Sequence, residues 1–210
     1  MSHENQVELI GHYGGDHTHA MAAWTSTNRE MTNERIAQIP GLLKKLAEGS
    51  DGNVHGSPFE KSFLHFNVTC DVASHIHILK HRIGVSVNGE SARYQEYKED
   101  KFYIPEDWAK DDRDDLESAA LALYLDYHAF VADMAPVIGR ARAKESARFY
   151  LPYCIQQRLD VSFNFRSFLH FQKLRNAPHA QKEIREIAQK MLSLVRELDS
   201  FKYSLEAFNL

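Results

Sequence analysis

Apolar and polar positions along the chain follow two periods, and the switch between them marks out the elements. In Phe63 to Cys70, Leu64, Phe66, Val68 and Cys70 alternate with His65, Asn67 and Thr69. From Ile155 to Arg166 the apolar set Ile155, Leu159, Val161, Phe163 and Phe165 alternates with Gln156, Arg158, Asp160, Ser162, Asn164 and Arg166, broken only at Gln157. Period two predicts half-buried strands, and the second sets Asn164 and Arg166 side by side on one polar face at its exit. Val7 to Ile10 predicts a third, short strand halted by Gly11 and the Gly14-Gly15 pair.

Other segments repeat every three to four residues. His17 to Trp24 predicts a short helix. A longer one, capped by Thr32 or Asn33, runs through Ile36, Ile39, Leu42, Leu43 and Leu46 to Glu48, unless it starts at Pro40, since proline suits a first turn. Asp71 caps a helix with the stripe Val72, Ile76, Leu79 and Ile83, while Ser74, His77 and His81 fall on another face. Asp107, or Asp111 to Asp115, opens a helix that buries Leu116, Ala119, Ala120, Leu123, Tyr127 and Phe130. Pro136 begins another, ended by Pro152, on which Glu145 and Arg148 are spaced for a surface ion pair.

Ser167 to Leu174 is helical and Arg175 closes it. His179 then opens the last long helix, with Ile184, Ile187, Ala188, Met191, Leu194, Val195 and Leu198 as a core or oligomer face. Gly49 to Asn53 reads as a loop, His55 to Glu60 as a compact turn and Phe102 to Pro105 as a short extended piece. Helices and antiparallel-looking strands segregate without a βαβ rhythm. The expected fold class is therefore α+β, a small antiparallel sheet with several long helices in a single domain over residues 1–210.

Composition narrows the function. A formal charge of −4 over 210 residues argues against a nucleic-acid partner, whereas local basic clusters suit a small anionic ligand. Cys70 and Cys154 have no CxxC spacing, which excludes a disulfide framework and fits free thiols in a reducing compartment. The polar start Met1 to Gln6 carries no signal peptide, and no apolar run approaches membrane-spanning length. A soluble, cytoplasmic protein without a membrane partner is expected.

The richest chemistry lies in Lys80 to Tyr94, which holds Lys80, His81, Arg82 and Arg93 with Ser86, Ser91 and Asn88. Gly84 and Gly89 argue against a regular helix or strand there. Basic groups with hydroxyl and amide donors on a turn are suited to a phosphate. The twelve histidines raise a metal site, but His77 and His81, four apart, lack the zincin glutamate because Ile78 follows His77, and no carboxylate nearby completes a third ligand. No metal is expected. The chain has no G-x-S-x-G elbow, no GxGxxG and no P-loop.

What remains is a scattered polar set: His55, Ser57, Lys80, His81, Arg82, Ser91, Arg93, Arg148, Asn164, Arg166, Arg175 and His179. Several of these sit at element ends, where sites form.

These residues fall in motifs that resemble the flavin-dependent thymidylate synthases. That family's signature is Arg-His-Arg, a spacer, then Ser; here stand Lys80-His81-Arg82, eight residues and Ser91, continuing into Ala92-Arg93-Tyr94. His55-Gly56-Ser57-Pro58-Phe59-Glu60 is similar to the family's His-x-(Thr/Ser)-Pro-Phe-Glu. Ala147-Arg148 before Leu151-Pro152, Asn164-Phe165-Arg166-Ser167, and Leu174-Arg175 before His179-Ala180-Gln181 have counterparts in the same order, so that the likeness spans about residues 50 to 190.

The resemblance implies reductive methylation of dUMP to dTMP. Methylenetetrahydrofolate would give the carbon, FAD the hydride, and NADPH would reduce the flavin. It places His55, Ser57, Lys80, His81, Arg82, Glu90, Asn164, Arg166, His170 and His179 around FAD. His77, Lys80, Glu90, Ser91, Arg93, Arg148 and Arg175 fall to the nucleotide, with Arg175 as the catalytic group that polarises the uracil. A homotetramer with sites at subunit junctions is implied as well.

The chain also departs from the pattern. Lys80 replaces the first arginine and cannot pair bidentately. His77 and His170 stand for a glutamine and an asparagine. Val85 lengthens the spacer, so that Gly89 or Glu90 takes the acidic position, Glu90 being the carboxylate at hand. The departures motivate a second reading, a non-catalytic nucleotide- or flavin-binding protein on the same scaffold.

Overall fold

A computed structural model describes residues 4–27, 30–49, 53–91 and 93–210. Residues 50–52 of the expected loop, the first three of the polar start, and Ala92 in the basic stretch lie outside the described residues. Four strands, β1 (Gln6–Tyr13), β2 (Phe63–Asp71), β3 (Val85–Gly89) and β4 (Gln156–Asn164), form one sheet in the order β1-β2-β4-β3. The ladder is antiparallel: Asn164 N donates to Gly84 O at 2.8 Å and Glu90 N to Arg158 O at 2.9 Å, which fixes the register of β3 on β4.

Eight α-helices are present among the described residues: α1 (Asp16–Ala23), α2 (Asn33–Glu48), α3 (Val72–Leu79), α4 (Lys110–Ile138), α5 (Arg140–Ala147), α6 (Phe165–Arg175), α7 (Lys182–Arg196) and α8 (Lys202–Ala207). The fold class is α+β, as the segregation of periods predicts.

The two period-two stretches are strands, with Leu64, Phe66, Val68, Cys70, Leu159, Val161 and Phe163 fully buried. Thr32 caps α2 by accepting from Arg35 N, and Pro40 lies inside the helix rather than at its start. β1 passes through Gly11 to Tyr13, and a Cβ added at Gly11 would meet nothing within 4 Å.

Four expectations are corrected. The glycine-flanked stretch contains β3, since Gly84 turns the chain at φ +66° and hands Val85 to Gly89 to the β4 ladder. On α3 the buried residues are Ser74 and Ile78, while Ile76 and Leu79 are exposed and Ile83 lies beyond the helix at 90% exposure. The cause is the cap: Asp71 Oδ1 accepts from Ser74 N at 2.8 Å and Oδ2 from Ser74 Oγ at 2.7 Å, which turns that face inward. Pro136 sits inside α4, and Gly139 at φ +83° makes the break before α5. Asn164 and Arg166 do not share a strand face, because Asn164 leaves the sheet as the cap of α6 and Arg166 falls in its first turn.

Contacts group the chain into two compact units of discontinuous sequence. The first comprises Met1–Gln6, Val68–Leu79 and Asn88–Leu159, with a core of Tyr97, Phe102, Ile104, Tyr124, Tyr127, Val131 and Ile155 under α4. By length and composition α4 is the one helix among the described residues that could cross a membrane, and 11% of its apolar window is buried. Asp126 and Asp133 stand on its exposed side.

The second unit comprises Val7–Asn67, Lys80–Val87 and Asp160–Leu210. Its core is aromatic: Phe59, Phe66, Phe163, Phe165, Phe168, Phe171 and Phe201 are fully buried, each contributing about 1.5–3 kcal/mol of transfer free energy. α7 packs Ile184, Ile187, Ala188, Met191, Leu192 and Val195 inward, so Leu192 rather than Leu194 completes its stripe. The short turn Asp199–Phe201 and α8 follow it.

Candidate functional site

In the second unit the compact turn is a 3-10 helix over Ser57–Glu60, begun by Pro58 at its first positions. Its carboxylate is fixed by Arg166, whose Nη1 donates to Glu60 Oε1 at 2.6 Å. Arg166 reaches across Gly56, where a Cβ would stand 2.7 Å from its Nε and would displace the guanidinium. His55 N donates to Leu46 O at 2.9 Å, and the side chains of His55 and Ser57 are exposed.

The basic tripeptide is joined to α6 by a second set of bonds. Asn164 Oδ1 accepts from Ser167 N at 2.8 Å, and Ser167 Oγ donates to Ile83 O at 2.6 Å. At Gly84 a Cβ would lie 2.2 Å from Asn164 Nδ2 and 2.4 Å from Ser167 Oγ. α6 carries Arg166 and His170 one turn apart and ends at Arg175.

His81 is buried at 8% exposure, edge-on to Phe171 at 5.0 Å and to His170 at 5.8 Å. Arg175 Nε donates to His81 Nε2 at 3.0 Å, and partial burial pulls the Arg175 guanidinium below its ordinary value. Lys80 and Arg82 flank His81 on the surface, and His179 is exposed beyond α6. Beside His170 opens a cleft of about 510 Å³ lined also by Val54, Leu169, Lys173, Asn176 and Phe208.

The first unit gathers another set. Arg93 Nε donates to Glu145 Oε1 at 2.9 Å, Arg142 Nη1 to Glu145 Oε2 at 3.4 Å, and Arg148 Nε to Glu145 O at 3.1 Å. The expected Glu145–Arg148 side-chain pair is thus replaced: the carboxylate takes Arg93 and Arg142, and Arg148 bonds the main chain. Arg142, then Arg93, hold the Glu145 carboxyl below its usual range. Ser91 opens the turn before Arg93, its carbonyl accepting from Tyr94 N at 3.0 Å and from Gln95 N at 3.2 Å.

Gly89 and Glu90 have different surroundings. A Cβ on Gly89 would lie 3.4 Å from Leu159 and 3.6 Å from His75, whereas Glu90 Oε2 accepts from Arg158 N at 3.4 Å beside a cavity of about 140 Å³. His77 is half-buried on α3.

The fifteen expected site residues therefore fall in two clusters. His81, Asn164, Arg166, His170 and Arg175, with the exposed His55, Ser57, Lys80, Arg82 and His179, belong to one unit; His77, Glu90, Ser91, Arg93 and Arg148 belong to the other. Sequence reasoning missed Glu60, Ser167 and Glu145 as the groups that hold the arginines and the glycine turn. Asn164-x-x-Ser167, with cap spacing, was the available signal for one of them.

Comparison with known proteins gives consistent findings. The family described as "Thymidylate synthase complementing protein" matches residues 8–199. A flavin-dependent thymidylate synthase of Pseudothermotoga lettingae is 28% identical over 201 residues, covering 94% of this chain and 87% of the relative. One from Pyrococcus furiosus is 32% identical over 190 residues, covering 85% and 70%. Among solved structures, a UMP/dUMP methylase from Streptomyces cacaoi bound with 5-Br dUMP superposes with a TM-score of 0.83 at 26% identity, covering 99% of this chain and 96% of that one.

Proposed function

Because the chain belongs to the thymidylate synthase complementing protein family and is a flavin-dependent methyltransferase of that group, we propose that it methylates dUMP to dTMP. FAD, NADPH and methylenetetrahydrofolate complete the reaction. The observation that carries the reading is the gathering of Arg93 and Arg148 on Glu145, next to the Ser91 turn, in a chain matched by the family over residues 8–199.

A nucleotide monophosphate is a dianion near neutral pH. Arg93 and Arg148 offer it two guanidinium forks and Ser91 a hydroxyl, the phosphate taking the place Glu145 holds on Arg93. His77, Lys80 and Glu90 are assigned to the nucleotide as well, as the family resemblance implies. Arg175 donates to a uracil carbonyl, so that the negative charge developing on the ring meets a fixed cation. Its Nε is engaged by His81, which orients the guanidinium.

The donor set of the second unit fits a flavin dinucleotide. His55, Lys80, Arg82, Arg166 and His179 are cations or donors for a pyrophosphate, and Ser57, His81, Asn164 and His170 add polar partners. Gly56 and Gly84 remove the Cβ atoms that would collide with Arg166 and Asn164. When bound, FAD supplies the hydride, having received it from NADPH.

The methylene carbon comes from the folate. We assign the exposed face of α4 to contacts within a homotetramer, and the protein to the cytoplasm. The similarity to a UMP/dUMP methylase makes UMP the second acceptor to compare with dUMP. Titration of the purified protein with FAD tests the reading: flavin absorbance that co-purifies or saturates supports it, and a colourless protein that binds no added FAD overturns it.

A further inference from the structure

One buried group takes no part in the chemistry above. His19 of α1 is wholly inaccessible to solvent and hydrogen-bonded at both ring nitrogens: Nδ1 lies 2.8 Å from Ser204 Oγ and Nε2 2.6 Å from Ser62 Oγ. Ser204 Oγ itself donates to Asp16 Oδ1 at 2.6 Å, and Asp16 also accepts from Tyr203 N and Ser204 N, each at 2.8 Å. The direction of every bond follows. Ser204 has spent its proton on Asp16 and must accept from His19 Nδ1–H, so Nε2 carries the lone pair and accepts from Ser62 Oγ–H. Asp16, Ser204, His19 and Ser62 form one polarised chain, each member less than a tenth exposed.

The ring also packs against two phenylalanines whose own centroids are 6.3 Å apart, and against Phe201 at 6.0 Å. Its centroid is 5.1 Å from Phe59, edge-on, and 5.3 Å from Phe165, tilted. The residues that follow these are Glu60 and Arg166, which pair at 2.6 Å. Ser62 closes the same loop, because its carbonyl accepts from Phe165 N at 3.3 Å. The imidazole thus packs on both phenylalanines that precede the Glu60–Arg166 pair, and its serine bonds the backbone of one of them.

We propose that His19, oriented by the Asp16–Ser204 couple and acting through Ser62, Phe59 and Phe165, is a positioning residue for the Glu60–Arg166 pair. It thereby tunes how tightly Arg166 holds the pyrophosphate of the flavin. The inference rests on the assignment of Arg166 to FAD made above.

A double-mutant cycle in the full chain tests it, reading the FAD dissociation constant by flavin fluorescence and the melting temperature of each variant. Ser62→Ala weakens FAD about tenfold, Arg166→Ala weakens it further, and the double variant binds like Arg166→Ala alone, as coupled groups require. A role in stability only would lower the melting temperature and leave FAD affinity unmoved, or would multiply the two losses; either result overturns the proposal. If Arg166→Ala binds FAD like the parent, the flavin assignment fails first and the inference with it, which the single variants distinguish. Should Ser62→Ala not fold, His19→Gln enters the same cycle with the same two outcomes.

Discussion

Nε of Arg175 donates to Nε2 of His81 across 3.0 Å, tying the end of α6 to the basic tripeptide that precedes β3. A guanidinium has no acceptor, so His81 must present a lone pair at Nε2. At this bond Arg175 therefore meets a neutral nitrogen. Arg175→Ala is expected to lower turnover at least ~100-fold, the scale of losing one transition-state donor. Circular dichroism and the melting temperature should stay near those of the parent, and near-normal turnover would show the role to be misassigned.

Arg93 belongs to the other cluster and pairs with the half-buried Glu145 carboxylate. Arg93→Ala should raise KM for dUMP by about 10- to 100-fold, as expected for a charge-assisted bond of about 1.5–3 kcal/mol. FAD affinity should be unchanged, because Arg93 is not among the groups assigned to the flavin. Steady-state kinetics with an independent FAD titration separates the two.

Gly84 stands at φ +66° with no room for a side chain. Gly84→Ala should destabilise the protein by at least ~1–3 kcal/mol, combining backbone strain with displacement of the Asn164 cap. Gly11→Ala in β1, where nothing lies within 4 Å, should change stability little or raise it slightly. Denaturant melts of the two variants give the comparison.

Burial lowers His19 to about 4 from its ordinary 6.5. The unfolded chain therefore binds this proton first as pH falls, so the stability from keeping His19 neutral is complete above about 6.5 and is lost between about 6.5 and 4. The shift corresponds to roughly 3 kcal/mol. His75, lowered by burial, acts in the same sense, whereas buried Asp16, raised by burial, opposes it at the acid end. Melting temperature should fall from pH 7 to pH 4.5, and the fall should shrink in His19→Gln. Equal acid sensitivity in the two proteins would contradict this.

Much of the fold was legible where one face of an element is buried. Leu64 to Cys70 and Leu159 to Phe163 alternate because their inward side chains have nowhere else to go, and α7 shows its stripe for the same reason. β3 was hidden because its five residues lie between glycines at a sheet edge, and its pairing depends on β4 rather than on its own pattern. On α3 the helical spacing of Val72, Ile76 and Leu79 was real, but the Asp71–Ser74 cap rotated Ser74 and Ile78 inward. Pro136 misled because a proline near a helix end is read as a start, whereas Gly139 supplies the stop.

The candidate site was legible as motifs and not as partners. Arg166, Arg175 and His81 could be named from their order in the chain, but Glu60, Ser167 and Glu145 reach them only through the fold. The basic stretch that reads as one phosphate loop is divided: Lys80 to Val87 belongs to the unit with Arg166 and Arg175, and Asn88 onward to the unit with Arg93 and Arg148.

The most direct measurement is tritium release from dUMP labelled at C5, under anaerobic conditions with FAD, NADPH and methylenetetrahydrofolate. The account predicts release that requires the folate and the reductant and that disappears in Arg175→Ala. Absence of release from protein shown to bind both FAD and dUMP would contradict it and leave a binding protein on this scaffold.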